Sequence, residues 1–271
     1  MCTFSFIPRT NGYAVGMNRD ELRFRARALA PGYFECNGVT AVYPSETLRG
    51  TWIAVNAYGQ LFALLNWYSA DPRTSTAKQR SRGEIIPQLI FHSDFRAAAT
   101  IFVSHRLAGI LPFRLIGIDP KHRVITEWRW DGRRICRLAL PWGRKHWFSS
   151  SLSDVQAEAH RSATCTLAAC VRDPEGPHWL RDLHRSHRPF SGPYSICVHR
   201  PDAVTVSYTE VLVNSWLISM RYVAGSPCES TGFHRVLDLP RLSDELSTPT
   251  FSSAAALMGV RLVRGRINQP K

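Results

Sequence analysis

Lysine is almost missing from this chain. Of its 34 basic residues only Lys78, Lys121, Lys145 and Lys271 are lysines, although the formal net charge is +13. Basic charge carried by arginine and spread along the sequence reads as coding composition rather than as a phosphate-binding surface, so nucleic acid is not expected as a partner. Long apolar runs are missing too. Without a stretch of about 18 uncharged apolar residues no membrane-spanning helix is expected. Without a basic segment followed by an apolar one at the start, no secretory signal is expected. Both absences point to a cytoplasmic protein. No GxxxxGK[ST] or strand-linked GxGxxG offers a phosphate cradle. Nor is there a CxxC or an HExxH, so His184 and His187, with Cys165 and Cys170 upstream, read as a histidine-rich surface connection. Neither a cofactor nor a metal is expected, and self-association is left open.

The seven cysteines, at 2, 36, 136, 165, 170, 197 and 228, are odd in number and widely scattered. That excludes a disulfide framework and suits a reducing compartment. At 271 residues and 44% hydrophobic content the chain has ample material for one large domain with a buried core.

What is present begins at the second residue. Cys2 opens a strand-like run, Cys2-Thr3-Phe4-Ser5-Phe6-Ile7, and Asn18-Arg19-Asp20-Glu21 follows a turn later. Removal of Met1, which a small residue such as cysteine at position two permits, leaves a thiol and an α-amine on one residue. An α-amine titrates near ~7.7–8.0 and a free thiol near ~8.5, so at neutral pH the amine can take the thiol proton, directly or through a water. The other six cysteines have no identifiable base beside them and read as packing residues.

Apolar runs and turn signals sketch the layout. Residues 2–7 and 13–17 read as strands joined through Thr10-Asn11-Gly12, and 51–56 and 60–65 as a second hairpin across Ala57-Tyr58-Gly59. A polar loop from 70 to 82 follows. Helices are expected over 84–91 and over 95–106, the latter capped by Ser93 or Asp94. Strands resume over 113–118, 124–130 and 133–138, and the capping-box pattern Ser153-Asp154-Val155-Gln156 launches a helix to about 171. Residues 172–192 read as a connection, and 194–199, 204–213 and 216–222 as strands. The pattern fades after Cys228. The expected organisation is a domain over 1–228 with a mostly irregular appendage over 229–271, in which 252–262 forms a short helix. Trp128, Trp130, Trp142 and Trp147 read as core or rim packing. Strands, then helices, then strands again describe an α+β protein with a two-layer sheet core and outer helices.

Four ordered segments carry a resemblance: Met17-Asn18-Arg19-Asp20-Glu21, Gly50-Thr51-Trp52 with its following strand, Ala63-Leu64-Leu65-Asn66, and Ser81-Arg82-Gly83-Glu84. Together they resemble the NRDE family, which includes the Transport and Golgi organisation proteins. The opening of the chain is also similar to the N-terminal nucleophile hydrolases of the choloylglycine hydrolase and penicillin V acylase type. The resemblance implies a four-layer αββα sandwich. It implies Cys2 as nucleophile, Arg19 beside it, Asp20 as the carboxylate that binds the amine, and Asn66 as an oxyanion donor. Phe148-Ser149-Ser150 places Ser150 where the hydrolases carry a second asparagine, and their late active-site arginine has no counterpart near Tyr194-Ser195-Ile196-Cys197. Two expectations follow. The first is a cysteine amidohydrolase or acyltransferase acting on a non-peptide carbon–nitrogen bond of a small molecule. The second, suggested by the haem and lipid connections of the Golgi organisation relatives, is a non-catalytic ligand-binding or trafficking protein on the same scaffold.

Overall fold

The structure, a computed structural model, describes residues 1–47, 50–70, 79–171 and 177–242 and a strand over 261–263. In chain order its strands and helices are β1 (Cys2–Arg9), β2 (Gly12–Leu22), β3 (Leu29–Cys36), β4 (Val39–Ser45), β5 (Ile53–Asn56), β6 (Leu61–Asn66), α1 (Ile85–Leu89) and α2 (Phe95–Ser104). There follow β7 (Phe113–Asp119), β8 (Val124–Trp130), β9 (Ile135–Leu140), β10 (Lys145–Ser149), α3 (Asp154–Val171) and α4 (Pro177–His184). The chain continues through β11 (Ala203–Val213), β12 (Leu217–Ala224), β13 (Arg235–Pro240) and β14 (Arg261–Val263). Two antiparallel sheets result, one of six strands in the order β10-β1-β2-β11-β12-β13, the other of eight in the order β14-β3-β4-β5-β6-β7-β8-β9.

Alternation along each strand sorts side chains into layers. Phe4, Phe6, Tyr13, Val15 and Met17 face the second sheet and pack with Val55, Leu61, Ala63, Ile116 and Ile118 in a central core. The outer face of the eight-stranded sheet buries Phe62, Leu64 and Trp128 under α1 and α2, where Ile86, Phe95 and Phe102 complete the layer. Helices α3 and α4 cover the six-stranded sheet through Ala157, Trp179, Leu180 and Leu183, against Ile7, Ala14 and Phe148. The expected αββα sandwich is therefore what the chain forms.

Local sequence explains most elements. The first hairpin pairs Arg9 with Gly12 around Thr10-Asn11, and Gly12, at φ 146°, is pressed so closely onto β11 that a Cβ there would sit 2.0 Å from the Val213 carbonyl oxygen. Asp94 caps α2 by accepting from the Arg96 N–H at 2.9 Å, and Ser153 accepts from Gln156 N at the start of α3. A hairpin outside the expected set, β3–β4, turns at Asn37-Gly38, both at positive φ, a two-residue Asn-Gly turn of the kind that matches strand twist. Residues 194–199 form no strand. The backbone there bends, and it is held by Cys197 N on the Ser186 carbonyl and by a single bridge from His199 to Val204. Within the expected connection, residues 177–184 form α4 because Trp179, Leu180 and Leu183 share a buried face. Within the expected appendage, β13 adds an edge strand whose Leu237 and Leu239 reach the central core. Of the expected 252–262 helix, 252–260 lies outside the described residues, and Arg261–Val263 pairs with β3 as β14. No helix among the described residues is long and apolar enough to cross a membrane.

Candidate active site

The three strands β10, β1 and β2 lie side by side, and their register sets Ser149 opposite Cys2 on one flank and Arg19 opposite it on the other. Residues directly opposite in an antiparallel ladder share a face, so the Cys2 and Arg19 side chains both project between the sheets. Asp20, the next residue along, necessarily projects the other way, towards α3. The adjacency of Arg19 and Asp20 thus divides two charges between two layers.

On the inner side Cys2 opens into a cleft of about 400 Å³ at one end of the sandwich. Arg19, Thr51, Trp52, Asn66, Arg82 and Gly83 line it too. These residues come from all four sequence motifs, brought together from both sheets. Arg19 is buried, donates to Glu46 Oε1 at 2.7 Å and lies 4.4 Å over the Trp52 ring. Trp52 therefore orients the arginine by cation–π contact while Glu46 offsets its charge. Gly50 and Gly83 meet backbone to backbone. A Cβ on Gly50 would stand 3.3 Å from the Gly83 Cα, and Thr51 N donates to the Gly83 carbonyl at 3.0 Å. A side chain at either glycine would crowd this close backbone contact beside the cleft.

Asn66 ends β6 at the cleft, and its amide donates to the Tyr68 hydroxyl at 2.7 Å. The Asp154 carboxylate ties this loop to the strand carrying Ser149: one oxygen accepts from Tyr68 N and Ser69 N, both at 2.7 Å, the other from Ser150 N at 2.8 Å. Ser150 is buried but does not line the cleft. Its hydroxyl accepts from Leu152 N at 3.4 Å, whereas the Ser149 hydroxyl accepts from the Cys2 nitrogen at 2.9 Å.

Behind the strands, on the helix side, Asp20 is wholly buried. It accepts from the Thr205 hydroxyl at 2.6 Å and lies 3.7 Å from Arg161 on α3, itself wholly buried. Arg161 also donates to the Cys2 carbonyl at 3.3 Å and to the Thr3 hydroxyl at 2.9 Å. Arg161 belongs to no recognisable motif, and Ser149 stands one residue before the position in Phe148-Ser149-Ser150 that the resemblance points to. Asn18 completes this side by donating to the carbonyls of His184 and Ile196, both at 2.9 Å.

Burial raises the Cys2 thiol above its ordinary value. The terminal ammonium and Arg19 pull it down, and Asp20 and Glu21 push it up. Asp20 is likewise raised, by burial first, with Arg161, the terminal ammonium and Thr205 opposing. A resting thiol beside a cation and a nitrogen suits a nucleophile that ionises only as a base takes its proton.

Residues 1–156 match the sequence profile of the family described as Transport and Golgi organisation 2. No curated protein matches in sequence. Among solved structures, the penicillin V acylase from Agrobacterium tumefaciens aligns over 82% of this chain and 82% of its own, at 12% identity and a TM-score of 0.51. A variant of the conjugated bile acid hydrolase from Clostridium perfringens aligns over 88% of this chain and 92% of its own, at 11% identity and a TM-score of 0.56. A second variant of that hydrolase covers 93% of this chain and 100% of its own, at 8% identity and a TM-score of 0.51. At such identities the likeness is one of fold.

Proposed function

The chain belongs to the Transport and Golgi organisation 2 family, and from that premise we propose that it is a cysteine N-terminal nucleophile amidohydrolase, or an acyltransferase of the same chemistry, acting on a non-peptide carbon–nitrogen bond. The observation that carries this reading is the convergence of four separated motifs on the cleft into which Cys2 opens.

With Met1 removed, the Cys2 nitrogen is an amine whose partner is the Ser149 hydroxyl. The amine takes the thiol proton, and the sulfur attacks the substrate carbonyl. The carbon–nitrogen bond breaks as the amine returns the proton to the leaving nitrogen, and water or an acceptor amine then cleaves the thioester. Arg19 favours the thiolate electrostatically. Asn66 supplies the oxyanion donor, a contribution of about 2.7–4 kcal/mol for such groups. Asp20 and Arg161 act from the far face: Arg161 fixes the Cys2 carbonyl, and Asp20 supplies the negative charge that favours the ammonium.

A second reading, a ligand carrier for haem- or lipid-like molecules, draws on Met1. Met1 is buried at the cleft, and its sulfur accepts from the Ser151 hydroxyl at 3.0 Å and from Arg200 at 3.4 Å. Intact mass of the untagged protein before and after a thiol-reactive probe separates the two. Loss of Met1 with labelling at Cys2 is the outcome expected of the enzyme. Retention of Met1 removes the free amine from Cys2 and leaves the carrier or a conventional thiol site.

A further inference from the structure

Where the irregular 185–202 connection meets the turn after β12, four side chains from three parts of the chain converge. His187 follows α4, Cys197 and His199 lie just before β11, and Cys228 sits in a single 3-10 turn (Pro227–Glu229) after β12. Their ligand atoms all lie within 4.8 Å of one another. The Cys197 and Cys228 sulfurs are 3.5 Å apart, and His199 Nε2 stands 3.2 Å from Cys228 Sγ and 3.7 Å from Cys197 Sγ. His187 stacks edge-on against His199, ring centroids 4.9 Å apart, and its Nε2 is a buried atom without a hydrogen-bond partner.

The three separations among Cys197, His199 and Cys228, 3.2–3.7 Å, lie near the edges of a tetrahedron around one ion, and His187, within 4.8 Å of each, closes on the same point by a small side-chain movement. Bonds of ~2.3 Å to sulfur and ~2.0–2.1 Å to nitrogen give edges of about 3.8 Å between sulfurs, 3.6 Å between sulfur and nitrogen and 3.4 Å between nitrogens. The supports are already fixed. Cys197 N donates to the Ser186 carbonyl, Val198 N to the Thr205 hydroxyl at 2.8 Å, and Thr205 N to the Val198 carbonyl at 3.0 Å. Cys197 Sγ and His199 Nε2 meet at 3.7 Å, so this bent and pinned backbone turns both side chains to the same side.

We propose that His187, Cys197, His199 and Cys228 form a structural site for zinc. Two thiolates and two neutral imidazoles balance a divalent cation without residual charge, the two thiol protons passing to solvent as the metal binds. All four positions are taken by protein, which is the arrangement of a structural rather than a catalytic zinc. The site also gives a reason for the long connection without regular structure, a length uncommon unless something holds it. The metal clamps it to the end of β12, and through Thr205 to the Asp20 carboxylate.

The test uses the untagged full chain, purified under reducing conditions without added metal, with metal measured by inductively coupled plasma mass spectrometry. About one zinc per chain is expected, falling to under about a tenth in Cys228→Ser and in Cys197→Ser. Cys136→Ser, at an exposed position elsewhere, keeps the full equivalent. If the serine variants do not fold, the wild-type chain stripped with a chelator and titrated with cobalt(II) gives an answer independent of them. An intense tetrahedral spectrum with a thiolate charge-transfer band supports the site, and a weak octahedral spectrum overturns it. A Cys197–Cys228 disulfide in the freshly purified protein, or alkylation of Cys228 as fast as that of Cys136 while zinc is present, also overturns it.

Discussion

Acid should destabilise this fold more steeply than its carboxylates would suggest, through two imidazoles that share one hydroxyl. His146 on β10 and His184 on α4 place Nδ1 and Nε2 at 2.9 and 3.0 Å from the Ser5 oxygen, in the layer between the six-stranded sheet and its helices. A serine hydroxyl can donate once and still accept, so it satisfies two neutral rings, one as acceptor and one as donor. Burial, then Arg144 and Lys145, lower His146 to about 4; burial, then His146 and Arg161, lower His184 to about 3. Both values lie below the unfolded value of about 6.5, so the unfolded chain binds protons that the folded chain refuses. Stability is thus complete above about 6.5 and lost as pH falls through the window down to about 4 and 3. Between pH 7 and pH 5 each ring should remove about 2 kcal/mol and the two together about 4 kcal/mol, a large share of a typical domain's ~5–15 kcal/mol. Urea unfolding followed by tryptophan fluorescence at the two pH values measures the difference. In His146→Gln, which keeps a polar group towards Ser5, the loss should shrink by about half. Asp20, raised chiefly by burial, contributes with the opposite sign, but it cancels in the comparison of variant with wild type. An equal pH dependence in both proteins would refute the reasoning.

Cys2→Ala should abolish turnover of any N-acyl substrate the wild type accepts while leaving circular dichroism unchanged; equal turnover would end the hydrolase reading. Asn66→Ala should lower kcat by about 10²–10³ and Ser150→Ala by much less, because Asn66 lines the cleft and the Ser150 hydroxyl turns to Leu152; steady-state kinetics would show the reverse order if Ser150 were the oxyanion donor. Arg161→Met leaves Asp20 buried without its cation and should cost about 3–5 kcal/mol in urea unfolding, part of which Asp20→Asn in the same chain should restore. Truncation after Glu229 removes Leu237 and Leu239 from the core, about 1.5–3 kcal/mol each. Truncation after Leu242 spares them and should shift the melting temperature less; equal shifts would show that β13 adds nothing.

The parts of the site legible in sequence are those whose reason is local. A strand opening on cysteine, an Arg-Asp pair ending the next strand, a Gly-Thr-Trp strand start and an asparagine closing the following strand each keep their meaning within a few residues. Ser149 and Arg161 do not. Whether Ser149 or Ser150 meets Cys2 depends on the pairing of β10 with β1, and a slip of one residue moves every side chain to the other face. Arg161 lies between His160 and Ser162 on a helix of mixed polarity, and only the docking of α3 over Asp20 gives it a partner. Helix α4 hides in a stretch rich in proline, histidine and arginine because three apolar residues suffice to bury so short a helix. In β13 the alternation Val236-Leu237-Asp238-Leu239 is present, but only its pairing with β12 shows that the leucines face inward.

The adjacency of Arg19 and Asp20 links the chemistry of the site to its support. Strand alternation forces the two apart, so the arginine joins the cleft while the carboxylate is buried under α3. A carboxylate buried there needs a cation and a hydroxyl, and it finds them in Arg161 and Thr205. Arg161 reaches back to the Cys2 carbonyl, so the cation that compensates Asp20 also fixes the backbone of the proposed nucleophile. Thr205 joins Asp20 to the Val198 turn, beside the four histidine and cysteine side chains proposed to hold zinc. On this geometry Asp20→Asn should disturb two places at once, the ionisation of Cys2 and the ordering of the connection before β11. The pH at which a thiol probe labels Cys2 would report the first, and hydrogen exchange at Cys197 and His199 the second. A change confined to the thiol would show that the carboxylate acts on Cys2 alone.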